Sequence, residues 1–427
     1  MKIVNGTIIN PEKNEMYKAD LEVVSPADYE DRDLIIDATG LYIAPGMADT
    51  HVHFRDPGFT YKEDIISGAE AAKKGGYTQI VLMANTNPKV DNTETLKYVL
   101  NKGKDTGIHI NTCANVTMGM KGEILTPMEE LKAAGAVGFT DDGVPVMNAD
   151  VCLEAMKQCA KLGVPISFHE ENTAFIDNNG VNRGAASEHY GIGGSPREAE
   201  IDLISRDIDL ARRAFDELKA EDQNIRCPKI VIQHISTKEG VELVRAAKTE
   251  GLDIHAEATP HHFSLNQEAV IKFGTNAKMN PPLRTEEDRL AILEGLKDGT
   301  IDLIATDHAP HSAEEKAKTI TEAPSGIIGL ETSLSLSIKH LINAEILTYP
   351  QLFNRISLAP CRLYGIEGGT VDNSLNQDLI IFDPDEKWVV SSFKSKSSNS
   401  PFIGEELPGV IKYTICGGQI VYKSTCR

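Results

Sequence analysis

The feature that most limits the fold is an alternation of short apolar runs with amphipathic stretches through the middle of the chain. The runs are Met47–Phe54, Tyr77–Asn85, His109–Val116, Ala136–Asp142, Val164–His169, Lys229–His234, Leu252–Glu257 and Ile301–Asp307. Between most of them lie helix-like stretches, among them Asp64–Lys74, Thr93–Lys104, Ala149–Leu162, Arg197–Ala220 and Lys238–Glu250. Eight strands alternating with helices over about 300 residues predict an α/β chain folded as a (β/α)8 TIM-like barrel. A doubly wound open sheet is the alternative, but no Gly-x-Gly-x-x-Gly opens the first strand-to-helix turn.

At 427 residues the chain exceeds the roughly 250 that one core usually fills, so a smaller unit should accompany the barrel. The two ends supply it. Lys2-Ile3-Val4, Thr7-Ile8-Ile9, Leu21–Val24 and Leu34–Ile36 are short alternating segments broken by turn residues. Asp378–Phe382, Trp388–Val390 and Ile411–Ile415 repeat that texture, and Gly417-Gly418 leads into Gln419–Tyr422 as a hairpin. Neither end has the apolar length to fold alone. The expectation is one composite β-domain built from residues 1–43 and 366–427, beside a catalytic barrel of 44–365.

Charge and cysteine usage narrow the function. The formal net charge of −20 offers no footprint for nucleic acid or an anionic membrane as a main partner. No apolar run approaches the 18 or so residues of a membrane-spanning helix, and Met1–Gly6 reads as strand and turn, with no apolar signal region behind it. Seven cysteines (Cys113, Cys152, Cys159, Cys227, Cys361, Cys416 and Cys426) form no Cys-x-x-Cys pair, which suits buried or incidental thiols in a reducing cytoplasm. A protein handling small molecules is expected.

The chemistry gathers at the strand ends. In Asp49-Thr50-His51-Val52-His53 the two histidines are i and i+2 on a strand and project to one face, able to ligate one ion. Asp142 closes the fourth strand, His169 the fifth, His234 the sixth and Asp307 the eighth. In a barrel these ends share one mouth, where catalytic residues collect. Four imidazoles and two or more carboxylates there can hold two divalent ions, and a set without cysteine suits zinc, with Mn2+ or Co2+ as substitutes. His109, His255, His189 and His340 lack that setting and read as structural, while His261-His262 is left open near the mouth. Around the metals stand Arg55, Asn87, Asn280 and His311: arginine matches a substrate carboxylate, and asparagine an amide or ureide edge. Two long connections, Glu170–Pro196 and Ala309–Gly329, are candidate lids, the second preferred because it follows Asp307 and carries His311.

These motifs together resemble the amidohydrolase superfamily and, within it, the class I dihydroorotases. The resemblance rests on His51–Gly58, Asn85-Thr86-Asn87-Pro88, Asp141-Asp142-Gly143, Phe168-His169-Glu170, Gln233–Ser236, Met279–Arg284 and Thr306–His311, and spans essentially the whole chain. It implies that His51, His53 and Asp307 hold a first zinc ion and His169 and His234 a second. It places Asp142 at a bridging position, with Arg55, Asn87 and Asn280 on the carboxylate side of the substrate and His311 near the reacting ring. The implied reaction is the reversible cyclisation of N-carbamoyl-L-aspartate to L-dihydroorotate in pyrimidine biosynthesis. A metal-activated hydroxide serves it, with Asp307 as general base and then acid.

Many amidohydrolases bridge their metals with a carboxylated lysine on the fourth strand, but residues 136–143 contain no lysine. Alternation lets only one of Asp141 and Asp142 face the mouth; Asp142 is preferred, with Asp141 the fallback. The rivals are another cyclic amidohydrolase such as an allantoinase, and an inactive homologue that partners aspartate transcarbamoylase. Complete ligand positions count against the second. A homodimer, and association of an active enzyme with aspartate transcarbamoylase, are further family expectations.

Overall fold

The computed structural model describes residues 1–371 and 377–424. Cys426 and part of the expected C-terminal segment lie outside them. Eight parallel strands form the centre: β1 (Met47–Val52), β2 (Tyr77–Leu82), β3 (His109–Thr112), β4 (Phe139–Thr140), β5 (Ile166–Phe168), β6 (Ile230–Ile232), β7 (Ile254–Ala258) and β8 (Leu303–Ile304). β1 to β3 pair in order, as do β4 to β8. Single parallel bridges join the two runs, Ala114 to Phe139 on one side and Val52 to His308 on the other, so the sheet closes into a barrel. The register places Ile166, Ile230 and Ile254 abreast. Inside, Val81, Cys113, Val231 and Leu303 pack against Leu363 and Tyr364, which come from the helix Ala359–Tyr364.

Local chemistry sets where the helices begin and stop. Asp64 caps Ile65–Gly75 by accepting from Ser67 N at 2.8 Å, and the chain leaves that helix through Gly76 at φ 90°. Asn92, Asn148 and Thr237 cap Thr93–Gly103, Ala149–Leu162 and Lys238–Thr249 in the same way. Among the described residues no helix is long and apolar enough to cross a membrane.

Both chain ends enter one six-stranded sheet, ordered Gln419–Lys423, Glu406–Cys416, Leu379–Val389, Tyr42–Pro45, Thr7–Asn10 and Glu15–Lys18. Its central pairing is antiparallel, Ile380 opposite Ala44 and Ile381 opposite Ile43. Gly417 and Gly418, at φ 55° and 74°, make the two-residue hairpin turn in a conformation that L side chains resist. Ile8, Ile43, Leu379, Ile381 and Ile415 from these strands, with Ile3 and Ile36 from a neighbouring three-stranded sheet, form a core separate from that of the barrel.

Several barrel strands end sooner than their apolar runs suggest. β6 stops at Ile232 and β8 at Ile304, and just beyond them His234 and Asp307 adopt φ 33° and 45°, outside the range of extended strand. The departure lifts both side chains over the mouth.

At the barrel's other end His255 lies between Asp302 and Asp253, the latter at 3.0 Å. Burial disfavours its charged form, but the two carboxylates outweigh burial and raise its pKa from 6.5 to about 9. The folded protein therefore holds a proton that the unfolded chain releases. The stabilisation is complete below pH 6.5 and fades as the pH climbs through about 9. Urea unfolding across that range should show a loss of up to about 3 kcal/mol that a His255→Gln variant lacks.

Candidate active site

Side chains from six strand ends converge on one cavity of about 310 Å³, whose lining includes His53, Asp142, His169, His234 and Asp307. His51 lies just beneath, fully buried. Asp142 is the hub. One of its oxygens is 3.3 Å from His51 Nε2, 3.7 Å from His169 Nδ1 and 3.8 Å from His234 Nε2, and the other is 3.4 Å from His53 Nε2. Asp307 reaches His53 Nε2 at 2.9 Å and His51 Nε2 at 3.5 Å. Three overlapping groups of donor atoms result, His51 with His53 and Asp142, Asp142 with His169 and His234, and His51 with His234 and Asp307.

The donor set fits divalent metal. Among the described residues His51 Nε2 is buried and makes no hydrogen bond of acceptable geometry, although two carboxylates stand beside it. Three imidazoles also have their second nitrogen held from behind. His51 Nδ1 is 2.5 Å from Glu257 Oε1, His53 Nδ1 is 3.1 Å from Asn85 Oδ1, and His169 Nε2 is 3.2 Å from Glu171 Oε2. A carboxylate or amide at that position fixes the tautomer and aims the free nitrogen inward, as at metal-binding histidines. Asp141 points elsewhere. Its carboxylate accepts from Val116 N at 2.9 Å, Thr117 N at 3.1 Å and the Thr117 hydroxyl, so it braces the neighbouring connection.

The electrostatics keep the carboxylates ionised. Burial alone would raise Asp142 and Asp307, but the surrounding imidazoles, His51 foremost, hold both well below the usual carboxylate range. Burial also opposes charge on His169, yet Asp142 and Glu171 raise its pKa to about 10.

Arg55 and Asn280 line the cavity. Arg55 stands at φ 58°, with Nε 3.4 Å from Pro310 O and a terminal nitrogen 3.5 Å from His311 Nε2. His311 backs Arg55 at the edge of the cavity. Burial, then Arg55, Lys62 and Lys316, lower its pKa strongly and keep it neutral. Asn280 Nδ2 is 3.1 Å from His169 Nε2, while its buried oxygen has no partner among the described residues. Asn87 corrects the sequence reading. It is exposed and does not line the cavity, because the turn through Pro88 carries it outward. Asn85, two residues earlier at the strand end, takes the inner position and gives a hydrogen bond of 3.1 Å to Asp142.

Sequence reasoning passed over Asn85, Glu257, Glu171 and Lys278. The first two close apolar runs that were already recognised, so the strand-end signal could have found them. Of the open pair, His261 is buried among the metal-side groups, and burial lowers its pKa to about 3. His262 is structural, reaching Pro281 O at 3.1 Å beside Asn280. The connection 309–329 is tied down over the mouth. Lys278 donates to Ala323 O at 2.7 Å, Lys316 to Pro324 O and Gly326 O at 3.0 Å, and Asn399 to Ala309 O and Gly326 O at 2.9 Å. Gly326 has no room for a side chain, since a Cβ there would meet Ala309 O at 2.5 Å and the His311 ring at 2.6 Å.

A family model described as dihydro-orotase-like matches residues 40–218. A Clostridioides difficile protein named dihydroorotase is 47% identical over 99% of both chains, and one from Clostridium acetobutylicum is 46% identical at the same coverage. Among solved structures, the L-hydantoinase (dihydropyrimidinase) of Arthrobacter aurescens superposes with a TM-score of 0.83 at 24% identity, over 99% of this chain and 96% of that one. A dihydropyrimidinase from Brevibacillus agri gives 0.82 at 20%, over 99% and 95%. At that identity the structural likeness concerns the fold.

The two neighbouring aspartates should part company under mutation. Asp142→Ala is expected to lose one metal ion per chain by elemental analysis. Asp141→Ala should keep its metal and lose about 2–3 kcal/mol of stability, since it strands buried amide donors. Reconstitution of stripped protein should not respond to bicarbonate, because residues 136–143 offer no lysine to carboxylate.

Proposed function

The chain belongs to the dihydroorotases of the amidohydrolase superfamily, metal-dependent cyclic amide hydrolases of pyrimidine biosynthesis, and we propose how its barrel mouth performs that reaction. The observation that carries the reading is Asp142, within reach of both the His51–His53 pair and the His169–His234 pair. Our reading places two zinc ions there per chain, replaceable by Mn2+ or Co2+. His51, His53 and Asp307 would hold one and His169 and His234 the other, with the Asp142 carboxylate available to either. When bound, such ions supply Lewis acidity and bring the pKa of a held water toward neutrality.

The chain's own groups do the rest. Ring opening adds water across an amide bond of L-dihydroorotate: oxygen goes to the carbonyl carbon and a proton to the departing ring nitrogen. Asp307, ionised and facing the cavity, takes that proton from the water side and returns it to the nitrogen. Closure of N-carbamoyl-L-aspartate runs the same transfers backwards. Arg55 meets the substrate carboxylate with its planar fork. Neutral His311 supports Arg55 without competing for the anion, and Asn280 turns its free oxygen to the ureide edge. Asn85 replaces Asn87 in this group.

We read residues 44–365 as the catalytic unit and the strands from 1–43 and 366–427 as its β-domain. The same family reading extends to a homodimer in the cytoplasm and to association with an aspartate transcarbamoylase. Sedimentation of the protein alone and mixed with that enzyme tests both assemblies.

Assays with dihydroorotate and allantoin side by side should show turnover of the first alone. Asp307→Asn should abolish turnover in both directions, by about 1000-fold or more, because an amide cannot carry the proton. Arg55→Ala should chiefly raise KM for dihydroorotate, with about 2–5 kcal/mol at stake in a buried charge pair. Unchanged kinetics in Arg55→Ala would overturn the carboxylate assignment.

A further inference from the structure

Beneath the barrel, at the end opposite the mouth, lies a second convergence of metal-binding groups. β3 begins at His109, whose Nε2 is 3.2 Å from Asp378 Oδ2. Asp378 precedes the strand Leu379–Val389, and Cys416 closes the strand Glu406–Cys416 beside it. One nitrogen, one carboxylate oxygen and one sulfur from these residues lie within 4.8 Å of one another. Asp378 and Cys416 are buried, and His109 is half-buried.

The cluster is held rigidly. Asp378 Oδ1 accepts from Gly417 N at 2.9 Å, and Gln79 Nε2 lies 3.4 Å from the other oxygen. Gln79 is itself fixed by Asn111 at 3.1 Å. Burial, then the neighbouring Asp378 carboxylate, push the Cys416 thiol up, so without metal the cluster keeps its sulfur protonated. Of the lysines on that side, Lys73 is paired with Glu70 at 2.7 Å and Lys104 reaches Asn101 at 2.9 Å. A cavity of about 590 Å³ opens against His109, Cys416, Ile110 and Gln419, giving a way in and room for a fourth ligand.

We propose that His109, Asp378 and Cys416 form a further metal site, distinct from the catalytic one, that takes a zinc-like divalent ion and clamps the barrel floor to the C-terminal sheet. Imidazole, carboxylate and thiolate are the donor types zinc favours, and water from the cavity completes four-coordination. On binding, the ion displaces the Cys416 thiol proton, and any proton on His109 Nε2, to solvent. Thiolate and carboxylate then carry two negative charges that match the two positive charges of the ion, so the buried site becomes neutral.

The sulfur makes the site readable apart from catalysis. Among the described residues no cysteine lines the mouth, so Co2+ there gives no thiolate charge-transfer absorption. Titrating the reduced, metal-stripped full chain with Co2+ should fill the catalytic positions and then bind one further equivalent, with a near-ultraviolet thiolate band. Cys416→Ser should abolish the band, and His109→Gln should lose the extra equivalent. Both should keep the catalytic metal and dihydroorotate hydrolysis. If the wild-type protein takes up no equivalent beyond the catalytic ones, or the band survives Cys416→Ser, the cluster is a hydrogen-bonded chain only and the proposal falls. Should Cys416→Ser fail to fold, the wild-type titration and His109→Gln decide it.

Discussion

One buried carboxylate, Asp142, organises the mouth of this barrel. Four imidazoles crowded together offer a cation lone pairs but no charge to neutralise it. An anion at their centre turns that crowding into a cage. Its oxygens divide between the two histidine pairs, and Asn85 holds it in place through one of them. Everything else in the site refers to that point, from Glu257 behind His51 to Glu171 behind His169. The arrangement exists only because the sheet closes. Val52 and His308 are 256 positions apart in sequence, yet their bridge brings the first and last strands together, and with them His53 and Asp307.

The architecture was legible because each apolar run is bounded by turn residues and by a polar residue that has no business in a core unless it faces a site. His169, His234 and Asp307 announced themselves this way. Asp141 and Asp142 could be told apart only in part, since alternation says that one faces in but not which. The structure decides by giving Asp141 a full set of amide donors in the adjoining connection. Asn87 misled for a related reason. In Asn85-Thr86-Asn87-Pro88 the two asparagines are chemically alike, and nothing in the sequence says that the chain has already turned outward by the second. The partners behind the imidazoles were hidden differently, because they act through tertiary contacts over long separations. Glu257 meets His51 across 206 residues.

Strain and anchoring share the work of aiming the site. Arg55, His234 and Asp307 all stand in left-handed backbone conformations that cost free energy in residues with side chains. Such conformations persist where the surroundings over-determine them, and here the surroundings are dense. His262 holds the Pro281 carbonyl, and lysines and Asn399 hold the connection above the mouth. The catalytic side chains therefore hang from a braced rim, which is how a mouth built from loops keeps the geometry of a rigid element.

The six-stranded sheet joins Tyr42–Pro45 to Leu379–Val389 at its centre, and this sets an order of events during synthesis. A ribosome has made the first half of the sheet before the barrel begins, and the second half only after it ends. In the interval Tyr42–Pro45 presents an open edge to whatever strand is nearest, in this molecule or another. The barrel, whose neighbours in space are mostly neighbours in the chain, can fold while that edge waits. A message or chain cut short after the helix Ala359–Tyr364 would thus carry every ligand of the mouth while leaving one adhesive border uncovered.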